Sequence, residues 1–141
     1  MTTTLTHSID PAHALVTFTG LGAPTRSDIA RAVTTVLSDP ALGARRRFMI
    51  DARRAGFTPS VDFVKWFVGL LCRRPELAGS RWALLVDSEM PAAYGMGRMT
   101  EALLEGKAIE FRAFAHATAP QTMAEALAWL LDGVTPVHDA G

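Results

Sequence analysis

The chain has 141 residues, a length suited to one domain. Hydrophobic residues make up 49% and charged residues 20%, enough apolar mass for a core and a composition unlike that of a disordered chain. Fourteen basic and fourteen acidic side chains cancel, which argues against nucleic acid as the main partner and against a polybasic membrane anchor.

The lone cysteine, Cys72, has no partner for an internal disulfide or a cysteine zinc site, and points to a reducing compartment. Met1 to Thr6 is polar and does not read as a signal peptide. No window approaches the ~18 consecutive apolar residues of a membrane helix, so no integral membrane segment is expected. These features together predict a cytoplasmic protein. The Ala- and Arg-rich composition suggests a bacterial source.

Two strands come first. Leu5–Ile9 and Ala14–Thr19 flank Asp10-Pro11-Ala12-His13, a turn in which Pro presets φ and Asp can bond nearby backbone. Helix one follows. Thr25 and Asp28 are spaced as a capping box, and Ile29, Val33, Val36 and Leu37 form one stripe. Asp39-Pro40 closes it. Phe48-Met49-Ile50-Asp51 reads as a short buried strand ending in a carboxylate.

Helix two is predicted to open with Thr58 as N-cap and Pro59 at its first position, and to run to about Arg73 before Pro75. Trp82–Val86 is the next strand, followed by Asp87. Helix three is expected over about Pro91–Glu105, with Gly106 at its end. Ile109–Ala115 alternates as a strand. Pro120–Leu131 is helix four, with Met123, Leu127, Leu130 and Leu131 inward, and the tail from Gly133 to Gly141 is expected to be loose. Strands alternating with helices need crossovers, and crossovers make parallel pairs. The expected fold is therefore α/β, ordered ββαβαβαβα: a mixed, mostly parallel five-stranded sheet packed by four helices. It forms one domain over 1–141, with its core at about 5–131.

This order resembles the STAS domain, and the chain is similar to the small stand-alone SpoIIAA-like proteins. The residues that carry the resemblance are Phe48-Met49-Ile50-Asp51-Ala52-Arg53, Trp82-Ala83-Leu84-Leu85-Val86, Tyr94-Gly95-Met96-Gly97-Arg98-Met99 and Ala126-Leu127-Ala128-Trp129-Leu130. The resemblance implies a switchable, non-enzymatic interaction module. In the antagonists of anti-sigma factors a serine at the helix after the third strand is phosphorylated. Here Asp51 matches the strand-end Asp, Thr58 and Ser60 occupy the region approximately, and the Asp-Ser-Ser-Gly pattern is absent. The related CRAL-TRIO fold binds lipids, which brings in an apolar ligand.

Three candidate sites follow. The first is a switch or anion site: Thr58 and Ser60 at a helix N-terminus, with Arg53 and Arg54 close in sequence. The simpler reading is a helix cap. The second is a strand-end ligand site of Asp51 and Asp87, joined by Tyr94 and Arg98 on helix three. The simpler reading is loop capping and ion pairing with Arg53, Arg54 or Arg98. Gly95 and Gly97 in the same helix suggest a close approach to the sheet or a bend, with Met90, Met96 and Met99 around them.

The third is helix two. Val61, Val64, Phe67, Val68, Leu71 and Cys72 form a sheet-facing stripe, with Cys72 as a small core residue. Phe63, Trp66 and Leu70 form a second stripe, and together the two cover roughly 240° of the helix. Burial within the chain or a homodimer interface would explain the second stripe. His7, His13, His116 and His138 have no metal-ligand spacing, and Arg45-Arg46-Arg47 reads as a solvated loop. No catalytic set, metal or cofactor is expected. The expected partners are a protein or a second copy docked through helix two, and the alternative is a small apolar or lipid-like molecule under helices two and three.

Overall fold

The computed structural model describes residues 4–42, 46–56, 58–116 and 118–132. Five strands, β1 (Thr4–Asp10), β2 (Leu15–Leu21), β3 (Arg47–Asp51), β4 (Arg81–Leu85) and β5 (Glu110–Phe114), form one sheet in that order. β1 pairs antiparallel with β2, and every later pairing is parallel. Four helices complete the chain: α1 (Arg26–Leu37), α2 (Val61–Cys72), α3 (Pro91–Leu104) and α4 (Ala119–Leu131). The fold is the expected α/β arrangement. The tail from 133 onward, Arg45 and His138 lie outside the described residues.

The strand order explains the layering. Each of the three crossovers joins neighbouring parallel strands, and successive crossovers of one hand put their helices on one face. That face holds the larger core. Val16, Phe18, Phe48 and Trp82 from the sheet meet Val33 and Val36 of α1, Phe67, Leu70 and Leu71 of α2, and Leu104 of α3. Phe48 and Trp82 are partners in register, and their rings stack with centroids 4.2 Å apart. The indole nitrogen of Trp82 donates to Ser80 Oγ at 3.0 Å, so the buried ring leaves no donor unpaired. On the opposite face Met49, Ala83, Leu85 and Phe114 pack against Ala126 and Leu130 of α4. Arg81 fastens α4 there, donating to the carbonyls of Trp129 and Asp132 at 2.9 Å each.

Local chemistry sets the ends. Thr25 and Asp28 form the capping box of α1, and Asp10 accepts from the amide of Ala12 in the hairpin turn. Gly106 follows α3 with φ +80°, a left-handed turn that favours glycine. α2 differs from the expectation. Its N-cap is Ser60, whose hydroxyl accepts from the amide of Phe63 at 3.0 Å, and the helix begins at Val61 rather than at Pro59. With this start Pro59 and Val64 take the N′ and N4 positions of a hydrophobic staple, and Asp62 sits in the first turn by the positive end of the dipole.

The Arg45-Arg46-Arg47 expectation is also corrected. Arg47 is the first residue of β3 and is half-buried, its guanidinium donating to the carbonyl of His13. Arg46 donates to the carbonyl of Glu76.

Candidate functional site

A cavity of about 130 Å³ lies between the sheet and the three helices of the larger core. Phe18 and Trp82 contribute from the strands, Val33 from α1, Val64 and Phe67 from α2, and Met96 from α3. Small residues on separate elements make the room: Ala32 on α1, Ala55 in the β3–α2 loop, and Ala93 and Gly97 on α3. Gly97 also sets how closely α3 approaches the sheet. A Cβ there would stand 2.7 Å from Ala113 Cβ and 3.1 Å from Leu84 Cδ2, so only glycine permits this packing. At Gly95 a Cβ would meet nothing within 4 Å.

Among the described residues the polar side chains of the lining are Asp51, Asp87 and Thr100. β3 and β4 are parallel neighbours, so Asp51 at the end of β3 and Asp87, two residues past the end of β4, lie at the same end of the sheet. Their environments differ. Asp51, with its side chain only 15% exposed, is held by Arg53 through a fork. Arg53 Nε donates to Oδ1 at 2.9 Å, Nη2 donates to Oδ2 at 2.8 Å, and the Arg53 amide adds a third bond at 3.2 Å. These hydrogen bonds from Arg53 hold the Asp51 carboxyl below the usual carboxylate range; burial opposes the shift, and the charges of Arg53 and Arg54 add to it. Asp87 accepts from the amide of Glu89 at 2.9 Å, and among the described residues no basic side chain pairs with it. Thr100 donates its hydroxyl to the carbonyl of Met96.

The strand-end site is therefore assembled only in part. Tyr94 and Arg98 are on α3 but do not line the cavity. Arg98 is exposed and pairs with Glu101 at 3.3 Å and with the Tyr94 hydroxyl at 3.4 Å. Glu101 in turn accepts from the amide of Ala113 at 2.8 Å, which occupies an outward-facing donor of the edge strand β5.

The switch residues are committed elsewhere. Ser60 caps α2, Arg53 is bound to Asp51, and Thr58 and Arg54 are exposed.

α2 is turned relative to the stripe read from the sequence. Leu70, Phe67, Leu71 and Val64 are buried and span an arc of about 120° at 3.6 residues per turn. This arc lies between the two stripes. Leu70, from the second stripe, is only 8% exposed, whereas Val61, from the first, is 44% exposed. Phe63 and Trp66 are half-buried against the larger core, and the Arg26 guanidinium lies over the Trp66 ring at 5.5 Å. Cys72 is exposed, not the core residue expected, because it falls beyond the buried arc at the last position of the helix.

Among the described histidines, His13 pairs with Asp10 at 2.8 Å, His116 pairs with Glu125, and His7 stands beside Phe18. No group of three His, Cys, Asp or Glu side chains among the described residues could hold a metal ion. No described helix is long and apolar enough to cross a membrane. The cavity itself escapes a reading along the chain, because its lining is spread from β1 to β5. The available signal was the set of small residues facing large ones across the same layer. No family model matches the sequence, and no curated protein or solved structure matches it.

Proposed function

We propose that this chain binds a small apolar molecule between the sheet and helices α1, α2 and α3. The observation that supports the reading is the cavity of about 130 Å³, lined almost wholly by apolar side chains. Protein cores are packed to crystal density, with few voids larger than a water. An enclosed apolar cavity of roughly 150 Å³ takes up benzene, and the apolar lining here surrounds space on the same scale. The same comparison fits one ring with a short arm, which favours a compact ligand over a lipid-like one.

Ethylbenzene tests this by thermal unfolding. Ligand at ten times its Kd adds about 1.4 kcal/mol of stability, a rise of about 3–5 °C in Tm for a domain of this size. Ala93→Leu, which fills the cavity from α3, is expected to stay folded and to lose the rise. No rise in the wild type, or an equal rise in the filled variant, would remove the proposal.

A second reading is a non-enzymatic interaction module of the STAS type, docking through α2 and the loop before it. It is favoured by exposed Val61 beside Thr58 and Ser60, at the place where the resemblance puts the controlled loop. Light scattering on Trp66→Glu tests its homodimeric form. A fall from dimer to monomer mass would support it, and a monomer in both proteins would remove it.

A further inference from the structure

The three polar side chains of the cavity are not equivalent, and the difference specifies the ligand further. Thr100 has its hydroxyl proton on the Met96 carbonyl. Both oxygens of Asp51 accept from Arg53, so that charge is compensated within the protein. Asp87 keeps one oxygen without a hydrogen bond among the described residues, and carries no ion pair there. An apolar cavity whose lining holds one carboxylate without an ion pair among the described residues is complementary to a cation with an apolar body. A charge-assisted hydrogen bond in a site partly withdrawn from water is among the stronger polar contacts a small ligand can make.

We propose that the cavity takes a compact aromatic or alicyclic amine, its ammonium on the Asp87 carboxylate and its ring in the part of the apolar lining nearest Asp87, where Val86, Met90 and Ala93 contribute. The inference rests on the apolar-ligand reading above and adds the cationic head to it. Arg53 has a role in it: by neutralising Asp51 it leaves a single anionic anchor, so the amine has one orientation.

The probes are benzylamine, benzyl alcohol and ethylbenzene, measured by titration calorimetry near neutral pH. Benzylamine is expected to bind the wild type at least about tenfold more tightly than benzyl alcohol, the scale of one charged hydrogen bond. Asp87→Asn is expected to erase that preference. If ethylbenzene binds while benzylamine and benzyl alcohol bind equally, the ammonium site is wrong and the apolar cavity reading stands. Should none of the three bind, both readings fall. If Asp87→Asn loses all three, the wild-type preference decides alone: tenfold supports the amine, and parity overturns it.

Discussion

Replacing Gly97 by Ala separates close packing from helix propensity within one element. In an exposed helix interior this change stabilises by up to about 1 kcal/mol. At Gly97 the new methyl would stand 2.7 Å from Ala113 Cβ and 3.1 Å from Leu84 Cδ2. Carbon atoms rest at about 3.5–4.0 Å, so α3 would have to retreat from β5 by roughly 1 Å. Ala113 Cβ is fixed to the strand backbone and cannot swing aside. Overpacking of this kind costs about 1–3 kcal/mol, leaving a net loss of up to about 2 kcal/mol after the propensity gain. Gly95→Ala is the internal control, because its methyl meets nothing within 4 Å and keeps the full gain. Urea unfolding of the two variants should therefore differ by about 1–3 kcal/mol in opposite directions from the wild type, with unchanged m. Adding Ala113→Gly should relieve the Gly97→Ala penalty, since the two methyls form the contact. A Gly97→Ala protein as stable as Gly95→Ala would refute the close approach of α3 to the sheet.

The capping of α2 gives a second test: Ser60→Ala should cost about 1 kcal/mol, while Thr58→Ala stays within about 0.5 kcal/mol by chemical denaturation. The reverse ranking would return the helix start to Thr58. The Asp51–Arg53 fork gives a pH test. Arg53 lowers the folded-state pKa of Asp51, so its stabilisation is fully present above the ordinary Asp value of about 3.9 and is lost as pH falls through the lower folded value. Arg53→Met should therefore destabilise by about 1–2 kcal/mol near neutral pH, a figure reduced for partial exposure, and the gap to wild type should close toward about pH 2. A gap that stays constant with pH would mean that Arg53 acts through packing alone.

The parts of this molecule that could be read along the chain are those governed by neighbours in sequence. The Thr25–Asp28 capping box, the Asp10 turn and the glycine at 106 each depend on contacts or dihedrals within a few residues, and each is found where expected. Within β2, Val16 and Phe18 are the inward positions, spaced two apart as a strand requires. The placement of Asp51 and Asp87 at one end of the sheet followed from the rule that parallel neighbours end together. α2 was harder for two physical reasons. Thr58 and Ser60 are both competent caps two residues apart, and residue type alone does not choose between them. Its apolar residues cover so much of the circumference that periodicity cannot choose the buried arc, which is why Cys72 and Val61 are exposed and Leu70 is buried. Tyr94 and Arg98 share a helix face with each other but not with the carboxylates, a matter of the rotation of α3 that spacing leaves open. The cavity lay furthest from view, being a property of what small residues on several elements fail to fill.

Methionine methyl groups offer the most direct test of ligand binding in that cavity. Met90 and Met96 line it, whereas Met49 and Met123 pack on the opposite face of the sheet. With the methionine methyls labelled with ¹³C, titration with ethylbenzene should shift the Met90 and Met96 signals along one saturable curve and leave Met49 and Met123 in place. Shifts spread equally over both faces, or confined to Met49 and Met123, would contradict a ligand held between the sheet and α1, α2 and α3.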